Sequence, residues 1–411
     1  MHVLHYPVYF GRVIHATAHK GRISVLSLAL LATPTSLSAN STTTVIPALA
    51  RALDISAADA TWAATAFGWG GVLGAPLTAA LLRTRGSRVA TLANAALVLL
   101  GTLLVALAPA LPMLLAGRAV QAAGGGGLVT IAITLAGTTS RTGVITAGVG
   151  LVGAFGPLTG STLSAISWRT PLLLSLPALL AVPAVLRHVP AHPNDHDARS
   201  TGAPASTDTV GILLVMTLIS AFVLTPRLGP AALAAVAIAA ALLILNIRRN
   251  TAGFIPRAVV SSRAFITASA AACALSTSYF ALLYTVPRML ERHWPAGRIG
   301  LMTLVMLAVG SIASLLFTRW ISRYGPALAR TTLLAAGAVA VALPLTAPWP
   351  AALVAANAFA VFAATAAMAW YSDRAGKAVP GEHRATALAL FTLCYQLGGA
   401  FGPALASLLI A

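Results

Sequence analysis

The stretch Gly153-Ala-Phe-Gly-Pro-Leu-Thr-Gly160 decides how this chain is read, because its first five residues return unchanged as Gly399-Ala-Phe-Gly-Pro403. Each copy lies inside a long apolar segment, one in the first half of the chain and one near its end. Within a bilayer, glycines at this spacing strip side chains from one helix stripe and let a neighbour come close. The proline frees a carbonyl one turn earlier and bends the helix, which a membrane tolerates when neighbours re-satisfy the freed group. Chance small-residue repeats are common in an Ala/Gly-rich protein. An identical pentapeptide at the same relative place in two halves instead points to an internal repeat. Gly153, Gly156, Pro157 and Gly160, with Gly399, Gly402 and Pro403, are therefore expected to be helix-packing positions.

Composition sets the class. Of 411 residues, 58% are hydrophobic and only 8% charged, with a mean hydropathy of +0.88, whereas a soluble domain carries about 25% charged residues. The expectation is an all-α, polytopic helical membrane protein. A net charge of +18 would suggest nucleic acid in a soluble protein. Here the basic residues punctuate apolar runs, so they report topology and no nucleic-acid partner is expected. Cys273 and Cys394 sit in apolar segments without metal-ligand spacing. His188, His192 and His196 have i, i+4 spacing, but Pro190 and Pro193 interrupt any helix that would align them, so no metal and no cofactor is expected.

Segments long enough to cross a core of about 30 Å fall at 24–47, 60–82, 89–108, 112–136, 142–164, 170–187, 209–226, 230–247, 264–287, 299–320, 328–346, 349–371 and 385–410. That is about 13 transmembrane helices. With the N-terminus in the cytoplasm, nineteen of the 26 basic residues fall inside, six outside, and Arg118 within a span. This asymmetry supports the orientation and places the C-terminus outside. The expected organisation is a cytoplasmic tail at 1–23, a six-helix bundle at 24–187, a Pro-rich cytoplasmic linker at 188–208, two inserted helices at 209–247, a cytoplasmic connection at 248–263, and a five-helix bundle at 264–411.

Four signatures in the first half converge. Trp62-Ala-Ala-Thr-Ala-Phe67 leads through Pro76-Leu77 to the basic turn Arg83-Thr-Arg-Gly-Ser-Arg88. Gly117-Arg-Ala-Val-Gln-Ala-Ala-Gly124 follows in the fourth span, then Gly153–Gly160 in the fifth and Trp168-Arg-Thr-Pro171 opening the sixth. In combination these resemble the major facilitator superfamily, specifically its drug/proton antiporters. Arg83, Arg85, Gly86 and Arg88 resemble the family's loop motif, the fourth span its R-x-x-Q-G-x-G motif, and the fifth its G-P-x-x-G antiporter motif. The two inserted spans resemble the fourteen-span subfamily. Three departures matter. Arg83, and Ser322 in the second-half echo, stand where the loop motif expects an acid. Ser38 stands where the first span, aligned on Pro47, often carries Asp. The chain also ends after the span corresponding to the family's penultimate one.

The eight acids and nine histidines all fall in loops or at span ends. Arg118 is the sole charge within a span, where a lone charge costs at least ~2.5–3.5 kcal/mol and is functional by default. Locking of helix packing is the bland alternative. Gln121, one turn on, shares its face and can share a hydrogen-bond network. Both are candidates for coupling or substrate handling. Asn40, Ser41, Trp69, Tyr279, Tyr284 and Gln396 are the expected lining of a substrate pathway, polar or aromatic as an amphipathic substrate requires.

The resemblance implies a secondary transporter, not an enzyme. It would export a small organic or amphipathic compound, such as an antibiotic or drug, across a bacterial inner membrane by proton-linked alternating access. Its partners would be the substrate, membrane lipids and protons, and it would act as a monomer. The missing midplane acid favours a proton-independent facilitator or an anion-linked carrier as the alternative. The degraded loop motifs favour a degenerate, non-transporting membrane protein.

Overall fold

The computed structural model describes residues 23–136, 139–189, 208–250, 255–321, 325–347 and 349–410. The expected tail except Ile23, most of the 188–208 linker with His192 and His196, Ser322 and Ala411 lie outside the described residues, as does the side chain of Arg83. Among the described residues the chain is helical throughout, without a strand.

The helices are α1 (Val25–Leu53), α2 (Ala57–Leu82), α3 (Thr84–Leu107), α4 (Leu111–Ala136), α5 (Thr139–Ala154), α6 (Gly156–Leu163) and α7 (Val182–Leu186). Then come α8 (Thr209–Leu228), α9 (Pro230–Arg249), α10 (Arg257–Val260), α11 (Arg263–Leu290), α12 (Ala296–Ile321), α13 (Pro326–Thr346), α14 (Pro350–Lys377) and α15 (Arg384–Ile410). The chain kinks between α2 and α3 at Gly86, in the first turn of α3, whose φ of 78° lies in the region a side chain disfavours. The glycine of the basic loop motif is thus needed for the backbone, while Arg85 and Arg88 are exposed.

Eleven helices among the described residues are long and apolar enough to cross a membrane, against the thirteen expected. The two differences have separate causes. α1 is long enough, but Ser36, Ser38, Asn40, Ser41, Thr42, Thr43 and Thr44 make it polar. The sixth segment, Thr170–Leu186, is short and irregular. Pro171, Pro177 and Pro183 recur every six residues there, each removing an N–H and crowding the preceding turn. The chain consequently winds as two 3-10 runs, Thr170–Leu173 and Leu176–Ala181, before α7.

Three apolar clusters hold the bundle. One packs the first halves of α1 and α3 with α4, α5 and the 170–186 segment through Leu28, Leu31, Val98, Leu128, Ile131 and Ile145. A second joins α8, α9, α11, α13, α14 and α15 through Ile219, Leu243, Leu275, Leu333 and Phe391. The third crosses between the chain's halves, with Ile46, Leu49, Leu114 and Leu172 against Leu283, Leu290, Met306 and Leu353. Close approaches complete the seam, Gly68 of α2 against the backbone of Ala400 of α15 and Gly300 of α12 against the Pro157 carbonyl and the Ser161 side chain of α6. α9 leaves Leu233, Ile238, Leu242, Ile244 and Leu245 exposed, an apolar outer surface suited to lipid.

Candidate functional site

The broken 170–186 segment is where the site begins. Unwound by its prolines, it leaves backbone carbonyls facing the first bundle, and polar side chains collect on them. Ser38 Oγ donates to the Leu172 carbonyl at 3.1 Å, and Ser41 Oγ to the Pro171 carbonyl at 3.0 Å. Gln121 Nε2 shares its two hydrogens among the Leu172 carbonyl at 2.9 Å, Ser175 Oγ at 2.7 Å and Thr102 Oγ1 at 3.0 Å.

Arg118 sits at the centre, 0% exposed. Its Nη1 donates to Ser38 Oγ at 3.0 Å and Gln121 Oε1 at 2.7 Å, and its Nη2 to the Ser38 carbonyl at 3.3 Å and Thr42 Oγ1 at 2.7 Å. The guanidinium carbon lies 4.0 Å from the centroid of the Phe67 ring, a cation–π contact that is worth most when desolvated. Nε has no hydrogen-bond partner. No carboxylate is among these partners, so the charge is carried by two hydroxyls, an amide, one backbone carbonyl and one ring. Such a network ties α1, α3, α4 and the 170–186 segment together, and any movement of α1 must find new partners for the three hydrogen bonds that Arg118 makes to Ser38 and Thr42.

The structure therefore brings Arg118 and Gln121 together, as their spacing predicts. It adds Ser38, which the sequence marked only by the absence of an acid. Thr42, Thr102, Ser175 and Phe67 were not foreseen in this role. Thr42, one turn beyond Ser38, could have been found from that spacing, whereas Thr102 and Ser175 come from distant segments.

The expected pathway residues make these contacts. Ser41 is fully buried, with its hydroxyl on the Pro171 carbonyl. Asn40 Nδ2 donates to the Gly153 carbonyl at 2.9 Å, the group freed by Pro157. Trp69 Nε1 donates to Ser220 Oγ of α8 at 2.9 Å. Tyr279 and Tyr284 are 7% and 5% exposed. Tyr279 packs on Phe280 with centroids 4.6 Å apart, and the Tyr284 hydroxyl reaches toward the Ala39 carbonyl at a long 3.5 Å. Gln396 is exposed on α15.

The two motif copies pack on equivalent partners. Gly153, Gly156 and Gly160 meet Ser36, Asn40, Ser41 and Thr44 of α1, while Gly398, Gly399 and Gly402 meet Ser276, Thr277, Phe280 and Ala281 of α11. A β-carbon at Gly156 would lie 2.4 Å from Asn40 Cβ, and one at Gly402 would lie 2.6 Å from Phe280 Cβ. At Gly153 and at Gly399 the nearest atom would be 3.2 Å away.

A polar cavity of about 310 Å³ opens at the C-terminal ends of α1 and α11, lined by Thr44, Arg51, Ser164, Glu291 and Trp294 among others. Glu291 pairs with Arg288 at 2.6 Å. Burial pushes its carboxyl above the usual range, against the opposing pull of Arg288 and Arg51. The other carboxylates described lie at helix ends as expected. Asp54 caps α1, Asp59 sits in the first turn of α2, Asp208 caps α8, and Asp373 pairs with Lys377 at 2.7 Å in the last turn of α14.

Comparison with known proteins gives a consistent picture. The family model for the Major Facilitator Superfamily matches residues 28–403. The MFS-type transporter grgE of Penicillium sp is 27% identical over 267 residues, 59% of this chain and 47% of that protein. The efflux pump dotC of Dothistroma septosporum is 28% identical over 163 residues, 38% of this chain and 28% of that protein. The chain thus spans less than half the length of these curated relatives. Among solved structures, a POT family transporter in complex with a thioalcohol-conjugated peptide superposes with a TM-score of 0.63 at 15% identity, covering 94% of this chain and 90% of that one. The inward-open xylose transporter XylE from E. coli gives 0.55 at 16% identity, covering 93% and 89%.

Proposed function

The chain belongs to the major facilitator superfamily, whose members are transporters and not enzymes, and from that premise we propose that it exports a small organic or amphipathic compound by alternating access. The membrane is a bacterial inner membrane, with the N-terminus in the cytoplasm, the C-terminus outside and the protein acting as a monomer. The bundles at 24–187 and 264–411 rock against each other, with 209–247 as an inserted pair. The observation that carries this reading is the matched packing of the two pentapeptides, one on α1 and one on α11. It supports reading these two helices as equivalent members of a repeat, and transporters built from repeats place substrate between them. The efflux name of dotC supports the outward direction.

Drug or antibiotic efflux driven by protons is the primary form of the reading. Arg118 and Gln121 act in coupling or substrate handling by holding α1 to α4 in one of the two states. The hydrogen-bonded guanidinium without a carboxylate favours a second form, a proton-independent facilitator or anion-linked carrier. Everted vesicles separate the two. Uptake of an amphipathic dye that collapses when a protonophore is added supports proton coupling, and uptake that survives it supports the facilitator. Absence of uptake at normal protein levels rejects transport and leaves a degenerate membrane protein.

A further inference from the structure

The polar cavity of about 310 Å³ at the C-terminal ends of α1 and α11 is built by the two halves of the chain at matching positions. A β-carbon at Gly156 meets Asn40 of α1 and one at Gly402 meets Phe280 of α11, which puts Asn40 and Phe280 in register. The same offset of 240 residues pairs Pro47 with Pro287 and Arg51 with Glu291. All four of these residues line the cavity. Each half thus brings a charged side chain to one space, one turn beyond its proline, and the two charges are opposite in sign.

These charges do not neutralise each other. Arg51 makes no ion pair and no side-chain hydrogen bond among the described residues. Glu291 uses Oε2 to accept from Arg288 Nη1 at 2.6 Å, and its Oε1 has no donor among the described residues. Burial holds the carboxyl above its usual range in spite of Arg288 and Arg51, so a further cation beside it is favourable. An exposed arginine alone is an ordinary surface residue. Set across a cavity from a carboxylate with a free oxygen, it gives the space one positive and one negative pole.

We propose that this cavity is a binding site, separate from the Arg118 cluster, for a zwitterion with an aromatic body, its carboxylate on Arg51 and its ammonium on Glu291 Oε1. A guanidinium receives a carboxylate through two parallel N–H groups, and the ammonium donates to Glu291 in a charge-assisted bond. The volume is about twice the ~150 Å³ that accepts benzene, which leaves room for one ring beside the charged head. Trp294, whose ring carries the Arg298 guanidinium at 4.5 Å, supplies an apolar wall for that ring together with Ile299. A plain anion is repelled by Glu291 and a plain cation by Arg51, so neither satisfies both poles. Because the poles belong to different halves, a bound zwitterion ties the halves together at this end and favours this arrangement of the bundles.

The test uses the full chain in lipid nanodiscs and radiolabelled L-phenylalanine, read by scintillation proximity. The expected result is saturable binding at one site per chain, displaced by unlabelled L-phenylalanine at concentrations about tenfold or more below those needed of 3-phenylpropionate or phenethylamine. Arg51→Gln, which removes a side chain without a protein partner, weakens binding by about tenfold and brings phenethylamine level with phenylalanine as a competitor. Glu291→Gln weakens it similarly and brings 3-phenylpropionate level instead, an exchange of preference that a merely structural role would not produce. Arg227→Gln, at an exposed arginine in the last turn of α8 outside this cavity, leaves binding unchanged. The proposal is overturned by an absence of saturable binding to the wild type, or by wild-type affinity in a monodisperse Arg51→Gln protein. It is overturned as well if 3-phenylpropionate or phenethylamine competes with the wild type as strongly as phenylalanine, which makes the site one for a simple ion. Binding is read here without transport, so its failure leaves the vesicle experiment and the export reading untouched.

Discussion

The two copies of Gly-Ala-Phe-Gly-Pro share five letters and the steric map of their glycines, yet the surrounding chemistry is opposite. In the first, the helix breaks at Phe155 between α5 and α6, and in the second it runs unbroken through Pro403. The carbonyl freed by Pro157 is taken by the Asn40 amide, and Thr44 Oγ1 donates to the Pro157 carbonyl at 2.8 Å. The carbonyl four residues before Pro403, on Gly399, instead lies against the backbone of Gly68. Phe155 is 46% exposed, whereas Phe401 stacks on Phe222 of the inserted helix α8 with centroids 4.3 Å apart. Proline sets where a carbonyl is released. The neighbour decides whether the release becomes a break with a polar clasp or a bend inside apolar packing.

The comparison is broken most sharply at its fourth position. Gly156→Ala and Gly402→Ala should each lower stability by about 2–3 kcal/mol, because each new methyl meets a side-chain root or backbone atom that cannot retreat. Gly153→Ala and Gly399→Ala should each cost less than about 1 kcal/mol. Thermal unfolding of the four purified variants checks the pairing, and a different rank order in the two halves would count against their equivalence.

Next in size is Arg118, which belongs to the polar neighbourhood of the first copy through Ser38 and Thr42 of α1. Arg118→Met and Arg118→Lys should both express normally and transport at least about tenfold more slowly, equivalent to ~1.4 kcal/mol. Lysine keeps the charge but not the fork that reaches four acceptors. Initial rates in everted vesicles decide it, and full activity of Arg118→Met would reduce the arginine to a packing element.

Asn40→Ala leaves the Gly153 carbonyl without its donor and should cost about 1–2 kcal/mol. Ser276→Ala removes a donor from the Tyr395 carbonyl, 2.8 Å away in the second neighbourhood. It should cost under about 1 kcal/mol, since no proline stands four residues on. Denaturation midpoints for the pair sharpen the contrast between clasp and bend. Tyr284→Phe should be the mildest, below about 0.5 kcal/mol, since its 3.5 Å contact is too long to contribute much. A larger drop in melting temperature would show that the hydroxyl is used in another state.

Much of the fold was legible because it depends on local composition. Apolar run length gave the helices, and a turn glycine gave the α2–α3 junction. The number of long apolar helices among the described residues is two below the expected thirteen where composition and conformation diverge. α1 looks apolar when bounded at 24–47, but its buried face carries hydroxyls that satisfy one another and neighbouring carbonyls. Segment 170–187 looks apolar, and its prolines wind much of it as 3-10 runs. The Arg118–Gln121 pair could be read from a one-turn spacing on one helix. Their partners could not, because Thr102, Leu172 and Ser175 are contributed by segments whose approach depends on packing. Asn40 and Ser41 stand out as polar residues in an apolar span. Whether such a group faces a pathway or a neighbouring backbone is fixed by the partner helix and not by the residue.

The six-residue proline period in Thr170–Leu186 also bears on reach. At 1.5 Å per residue, the 17 residues of this segment would measure about 26 Å as an α-helix, short of a hydrocarbon core of about 30 Å. A 3-10 run rises about 2.0 Å per residue, so the ten residues wound that way add about 5 Å. The segment then matches the bilayer thickness without tilting its neighbours or thinning the lipid. A straightened variant, with Pro177 and Pro183 both replaced by leucine, would be a better helix and a worse span.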